Sequence, residues 1–384
     1  MIDHGLSDTI KLALWGKGHA SPDQHVFDEM KHHTIAALFA PYLSDAEMGS
    51  ELKNQWMQHI LQQVSYYTQY KYEQSWLPLT VPYVILKGSS AAKYYPHPEY
   101  RTMGDIDIMT RREDFNTACS QLVDNGYHIV NEIYKETSLR KDNICVDIHR
   151  QFASLNNPDH VKFLDDLIIE NINPTHVLPD IVNGLVLLDH INQHLESGIG
   201  LRQIIDWMMF VDKSLPDGKW PEFYELAKKI GLDRLAVACT HMCELYLGLS
   251  PHKWSAEADT ELCEQLMDYV LTCGNFGNKK KTDTDISETA FTYARTPKAW
   301  FGLLQRQGLI NWKAAKEHKF LRPFAWIYQW LRYISKGLKR EQAVSKIRAE
   351  YTAARKKMAL LDALGVKTAT KGLVMYKDGK YVKE

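Results

Sequence analysis

Two aspartates one residue apart, in Gly104-Asp105-Ile106-Asp107-Ile108, constrain this chain more than any other feature, and they follow a Gly88-Ser89 turn by seventeen residues. On a strand, side chains alternate, so both carboxylates point to one face while Ile106 and Ile108 enter a core on the other. Acids held this closely repel unless a cation lies between them. Hard oxygen donors of this kind suit Mg²⁺, or Mn²⁺, which is usually shared with phosphate oxygens.

The flanking sequence supplies the other parts of such a site. Val81-Pro82-Tyr83-Val84-Ile85-Leu86 is rich in β-branched and aromatic residues, closes on Lys87-Gly88-Ser89-Ser90, and leads into a short helical segment, Ala91 to Tyr95. That order is strand, tight turn, helix. Small residues at the turn let backbone N–H groups and a hydroxyl approach phosphate oxygens. A third acid, Asp147, sits between Val146 and Ile148 on a later strand predicted over 144–149. Each signal is weak alone, because most Gly-Ser turns are only turns and many D-x-D pairs are solvated strand edges. Their order and spacing join them.

Around this centre the pattern is helical. Ser21-Pro22-Asp23 and Ser44-Asp45-Ala46-Glu47 read as helix starts, the second opening a long amphipathic stretch that runs to about Tyr72. Strands are further predicted at 105–109 and 127–133, with a helix from about 112 to 125. Beyond Val161 almost everything has helical periodicity, with candidate helices near 180–196, 200–213, 220–230, 232–247, 257–273, 297–307, 321–337 and 339–361. Asp378-Gly379 lies between two short apolar runs and predicts a β-hairpin. The expected domains are an N-terminal helical cap at 1–78, an α/β unit at 79–155, a helical domain at 156–365 and a tail at 366–384.

Composition excludes several classes. The chain is 45% hydrophobic with a net charge of −1, which is neither disordered nor globally suited to nucleic acid. Its six cysteines form no C-x-x-C pair and read as reduced thiols of a cytoplasmic protein. No secretion signal or membrane-spanning run is expected.

The combined pattern resembles the nucleotidyltransferase superfamily built on the DNA polymerase β-type palm. More narrowly, Ile85-Leu86-Lys87-Gly88, Tyr95-Pro96, Arg101, Gly104-Asp105-Ile106-Asp107-Ile108, Gly126-Tyr127 and Val146-Asp147-Ile148-His149 look like a bacterial nucleotidyltransferase family of uncharacterised type, related to aminoglycoside and capsule-locus enzymes. The helical segments His190-Ile191-Asn192-Gln193-His194 and Gly198 to Trp207 are similar as well, so the likeness covers roughly residues 80–210. It implies an α+β fold: a small mixed palm sheet between N-terminal helices and a larger, all-helical C-terminal domain. It also implies transfer of a nucleoside monophosphate from a triphosphate to an acceptor hydroxyl or phosphate of an unidentified small molecule, with release of pyrophosphate. Asp105, Asp107 and Asp147 would then hold the metal and carry catalysis, and Lys87, Gly88, Ser89 and Arg101 would bind the nucleotide.

Some residues have a second reading. His149 shares the face of Asp147 two residues earlier and is either a phosphate or proton contact or a structural hydrogen bonder. His190 and His194 have zinc-ligand spacing on a helix, but Ile191 stands where a metalloprotease carries its glutamate, which leaves a substrate-facing or an ordinary helical role. Arg202 is a phosphate or acceptor candidate and an intrahelical partner for Asp206. Trp300, Trp312, Trp326 and Trp330 lie among Lys and Arg, and residues 336–384 hold thirteen Lys and Arg against five acids. That region fits RNA or an anionic surface, or simply a helical core with a solvated basic face. Two alternatives therefore stand beside the small-molecule enzyme: a toxin-like nucleotidyltransferase acting on RNA or protein, and a catalytically inactive palm-fold binding module.

Overall fold

The apolar–acid alternation at 105–109 and 144–149 becomes two neighbouring parallel strands, β2 (Ile106–Thr110) and β5 (Ile144–His149), in the middle of a five-stranded sheet. The sheet runs β1-β2-β5-β4-β3, with β1 at Tyr83–Leu86, β3 at His128–Glu132 and β4 at Glu136–Lys141. Every pairing except β2 with β5 is antiparallel, so the sheet is mixed. The structure is a computed structural model that describes residues 2–275, 297–338, 343–366, 374–377 and 379–383.

Ile106, Ile108, Val146, Ile148 and Leu139 share one apolar face, on which Phe115, Ala118 and Leu122 pack from α5 (Phe115–Asp124). Numbering the preceding helices in order, α1 is His4–Trp15, α2 Gln24–His32, α3 Ser50–Ser75 and α4 Gly88–Ala92. Tyr70, from α3, is buried in the same cluster.

Two N-terminal helix starts differ from expectation. Asp23, not Ser21, caps α2, accepting the Val26 N–H at 2.9 Å. Helix α3 begins at Ser50 behind Gly49, because the Ser44 hydroxyl donates to Asp45 Oδ1 at 3.0 Å instead of capping a helix. Strand β4, which the sequence reading did not contain, is mostly polar and follows β3 after only three residues.

After the sheet come α6 (Pro158–Glu170), α7 (Asp180–Leu195), α8 (Leu201–Ser214), α9 (Trp220–Lys229), α10 (Asp233–Tyr246) and α11 (Thr260–Cys273). Nearly every residue of α8 is buried, so this helix is internal rather than amphipathic. Asn183 on α7 ties the helices to the palm: its amide donates to Ser90 O at 3.0 Å and to Tyr94 Oη at 3.0 Å, and it accepts from Ser90 Oγ at 2.9 Å.

Two compact units divide the chain, one of residues 1–279 with 364–368 and 372–384, the other of 280–363 with 369–371. In the first, β6 (Val374–Lys377) and β7 (Lys380–Lys383) form an antiparallel pair. Asp378, the expected turn residue, lies outside the described residues. Gln151 receives this hairpin, donating to Val374 O at 3.0 Å and accepting from Tyr376 N at 2.9 Å. The second unit contains α12 (Pro297–Asn311), α13 (Lys313–Glu317), α14 (Ala325–Leu338) and α15 (Ala343–Leu364). Among the described residues, no helix is long and apolar enough to cross a membrane.

Candidate active site

Register places Asp107 directly beside Asp147 on the central parallel pair, and Asp147 opposite Ser138 on β4. Residues opposite one another in a ladder share a face, so this polar stripe lies on the side of the sheet away from the Ile106–Ile108 core. Asp105 stands just ahead of β2. Its carboxyl is pushed up to about 6 by burial and by Asp147 and Asp107. Burial and Asp107 raise Asp147 as well.

Asp107 behaves differently from its two neighbours. Burial opposes its charge, but Lys87 and His149 outweigh burial and hold it down to about 2. Lys87 Nζ is 2.6 Å from Asp107 Oδ1, and His149 Nε2 is 2.9 Å from the same oxygen. The other ring nitrogen of His149 lies 3.1 Å from Glu136 Oε2. Buried between two carboxylates, the imidazole is raised toward its charged form, because Asp107 and Glu136 overcome the cost of burial. Glu136 is held down to about 2, His149 again outweighing burial.

The turn that delivers Lys87 is strained. Lys87 has φ 46° and ψ −138°, a region that costs a non-glycine residue about 1–3 kcal/mol. Gly88 follows with φ 30°, and a Cβ there would fall 2.5 Å from Tyr70 Oη. Glycine is required on both counts. Tyr70 buttresses the turn from α3, and Tyr66, on the same helix, donates to Gly104 O at 3.1 Å just before the aspartates. Ser89 donates its hydroxyl to Gln74 Oε1 at 2.6 Å, and Ser90 donates to Lys87 O at 2.7 Å.

Arg101 faces a different partner. Its Nε is 2.9 Å from Asp206 Oδ1 and its Nη2 2.6 Å from Oδ2, a fully buried bidentate pair joined by Tyr95 Oη at 2.7 Å. Both oxygens of Asp206, the residue expected to pair with Arg202, are thus engaged by the palm. Arg202 donates to Thr102 O at 3.3 Å, and burial with Arg101 nearby lowers it to about 10. His190 and His194 stack edge to face, with ring centroids 4.8 Å apart. Burial, aided by His194 and Lys87 at His190 and by Lys87 at His194, holds the first well below its ordinary value and the second down to about 3.

The sequence reading missed Glu136 and Tyr70. Glu136 lies on β4, whose Lys135-Glu136-Thr137-Ser138 lacks apolar alternation. A usable signal was Asp142-Asn143, a turn dipeptide immediately before β5, with Asp142 at φ 52°. Tyr70 reads as one more residue of a long helix.

No group of three His, Cys, Asp or Glu among the described residues stands in metal-holding geometry. The donor set nevertheless suits a hard cation: Asp107 buried on β2, Asp147 half-buried beside it on β5 and Asp105 exposed just ahead of β2, with an ammonium already drawn to Asp107. Mg²⁺ commonly binds through one or two carboxylates plus substrate phosphates, without a preformed protein cage.

A family model described as an uncharacterised nucleotidyltransferase matches residues 22–248, which include the N-terminal helix α3, the whole sheet and the helices through α10. No curated protein and no solved structure matches the chain.

Proposed function

Because the chain belongs to this nucleotidyltransferase family, we propose that it moves a nucleoside monophosphate from a nucleoside triphosphate to a hydroxyl or phosphate of a small molecule, with Mg²⁺ or Mn²⁺ held by Asp105, Asp107 and Asp147. The observation that carries this reading is the in-register pairing of Asp107 with Asp147, with Asp105 close enough to feel both charges.

The three carboxylates divide the work by their environments. Asp107, pinned by Lys87 and His149, stays anionic and is a poor proton acceptor. Asp147, raised by burial and by Asp107, is the better base of the two. It accepts the proton of the acceptor hydroxyl as that oxygen attacks the α-phosphorus. The bond from the α-phosphorus to the bridging oxygen breaks, and pyrophosphate leaves. Held by Asp105, Asp107 and Asp147, a divalent cation would supply positive charge against the negative charge that grows on the entering and leaving oxygens. Lys87 supplies a fixed positive charge beside Asp107, and the Gly88-Ser89 backbone gives phosphate oxygens room to approach.

Binding is tested by thermal unfolding with each nucleoside triphosphate and Mg²⁺. At a ligand concentration a hundredfold above Kd, stabilisation is about 2.7 kcal/mol, a rise of several degrees. Asp105→Ala combined with Asp107→Ala should abolish the rise. An undiminished rise in that variant would place the triphosphate elsewhere.

A further inference from the structure

The helix pair α12 and α14 of the second unit joins through buried Leu304, the Phe301–Trp326 and Trp312–Tyr328 ring contacts and a set of polar contacts, and it leaves other large apolar groups outside. In the seam, Asn311 donates to Gln329 Oε1 at 3.1 Å, and Gln305 Oε1 accepts the Trp326 N–H at 3.2 Å. Gln329 is fully buried. At the crossing, a Cβ on Gly308 would fall 1.9 Å from Ala325 O, so the two backbones touch where only glycine fits. Close crossings at small residues, tied by side-chain amides, are the way helices associate in apolar surroundings.

The outer surface has matching chemistry. Phe320 is 72% exposed, Phe324 and Leu331 54%, and Trp330 50%. On α14, Ala325 and Gln329 turn inward one helical turn apart, which places Trp330 and Leu331 on the opposite side. Residues 297–338 hold eight Lys and Arg against a single acid, Glu317, in a chain whose net charge is −1. Lys313, Lys319 and Arg322 are exposed, Lys319 next to Phe320 and Arg322 two residues from both Phe320 and Phe324 in the chain.

We infer that this unit docks on the surface of an anionic lipid bilayer, with Phe320, Phe324, Trp330 and Leu331 at the boundary between headgroups and acyl chains and the neighbouring basic residues on acidic headgroups. The helices have 15 and 14 residues. Crossing a bilayer takes about 20, so the pair lies in the interface rather than spanning it. Exposed Leu331 and the buried polar seam favour lipid over a nucleic-acid strand, which stacks on aromatic rings along a polar groove. The inference is independent of the proposed chemistry.

The full-length protein is sedimented with phosphatidylcholine vesicles, with or without phosphatidylglycerol. It should pellet with the mixed vesicles and not with the neutral ones, and added salt should weaken binding. Phe320→Ser with Trp330→Ser and Leu331→Ser should lower partitioning at least about tenfold, given the apolar area withdrawn, with an unchanged unfolding midpoint. Lys313→Glu with Lys319→Glu leaves the apolar residues in place and should erase the preference for anionic over neutral vesicles. No pelleting by the wild type, or pelleting unaffected by both variants, overturns the inference. Retention of the wild type on single-stranded RNA without vesicle binding assigns the surface to nucleic acid and overturns it equally.

Discussion

Lys87 Nζ stands 2.6 Å from Asp107 Oδ1, and the backbone of the same lysine has a positive φ of 46° at the end of β1. Strain in the turn and charge in the site thus meet in one residue. Together with His149, the ammonium holds the buried carboxylate of Asp107 in its charged form.

Lys87→Met tests that role. Removing one partner of a buried ion pair costs about 3 kcal/mol, so the unfolding midpoint of the free protein should drop by roughly 4 °C at this size. Mn²⁺ or Mg²⁺ should restore more stability to the variant than it adds to the wild type, since the vacated carboxylate gains a partner. Equal metal-dependent shifts in both proteins would show that Lys87 and the metal do not share Asp107.

The buried pair of Arg101 with Asp206 joins the palm to α8 and predicts a different phenotype. Arg101→Lys cannot reproduce two parallel contacts, and Asp206→Asn leaves a guanidinium short of a counter-charge. Each should lower stability by about 3 kcal/mol. In chemical denaturation, Arg101→Met with Asp206→Leu should cost less than the two single losses added together. Strict additivity would mean that the pair is not a unit.

His190 and His194 make stability depend on pH. Their folded values lie below the ordinary 6.5, one well below it and the other at about 3. The unfolded chain therefore takes up protons below pH 6.5 while the folded protein does not. The stability associated with the neutral rings is complete above about pH 6.5 and is lost as pH falls toward the folded values. The slope is up to about 1.4 kcal/mol per pH unit for a fully buried imidazole. Unfolding midpoints measured from pH 7.5 down to pH 5.5 should fall, and His190→Gln with His194→Gln should flatten the fall. An unchanged slope in the double variant would assign the pH dependence to other groups.

Much of the central site was legible in the sequence, because period-two alternation fixes which side of a strand an acid occupies. That rule predicts Asp105 and Asp107 on one face, and the same apolar–acid–apolar setting marks Asp147 on a later strand; the structure pairs Asp107 with Asp147 and leaves Asp105 just ahead of β2. Glu136 was not legible, since its strand exposes too little apolar alternation to register, although it completes the charge environment of His149. A further partner of Asp206 was missed for a related reason. Helical spacing favours Arg202 one turn earlier, but Asp206 is fully buried and meets Arg101, which is 105 residues distant in the chain. Such a long-range contact leaves no local pattern. The apolar outside of α14 was visible as interleaved tryptophans and basic residues, whereas its polar seam appears only once Gln329 is seen packed against Asn311.

The most direct test of nucleotidyl transfer compares triphosphates labelled at the α- and γ-phosphorus, incubated with the protein, Mg²⁺ and a cell extract. Label from the α position should enter an acceptor while γ label leaves as pyrophosphate, and Asp105→Asn with Asp107→Asn should abolish both. Transfer of γ label to the acceptor, or α-label transfer that persists in the double variant, would contradict the account.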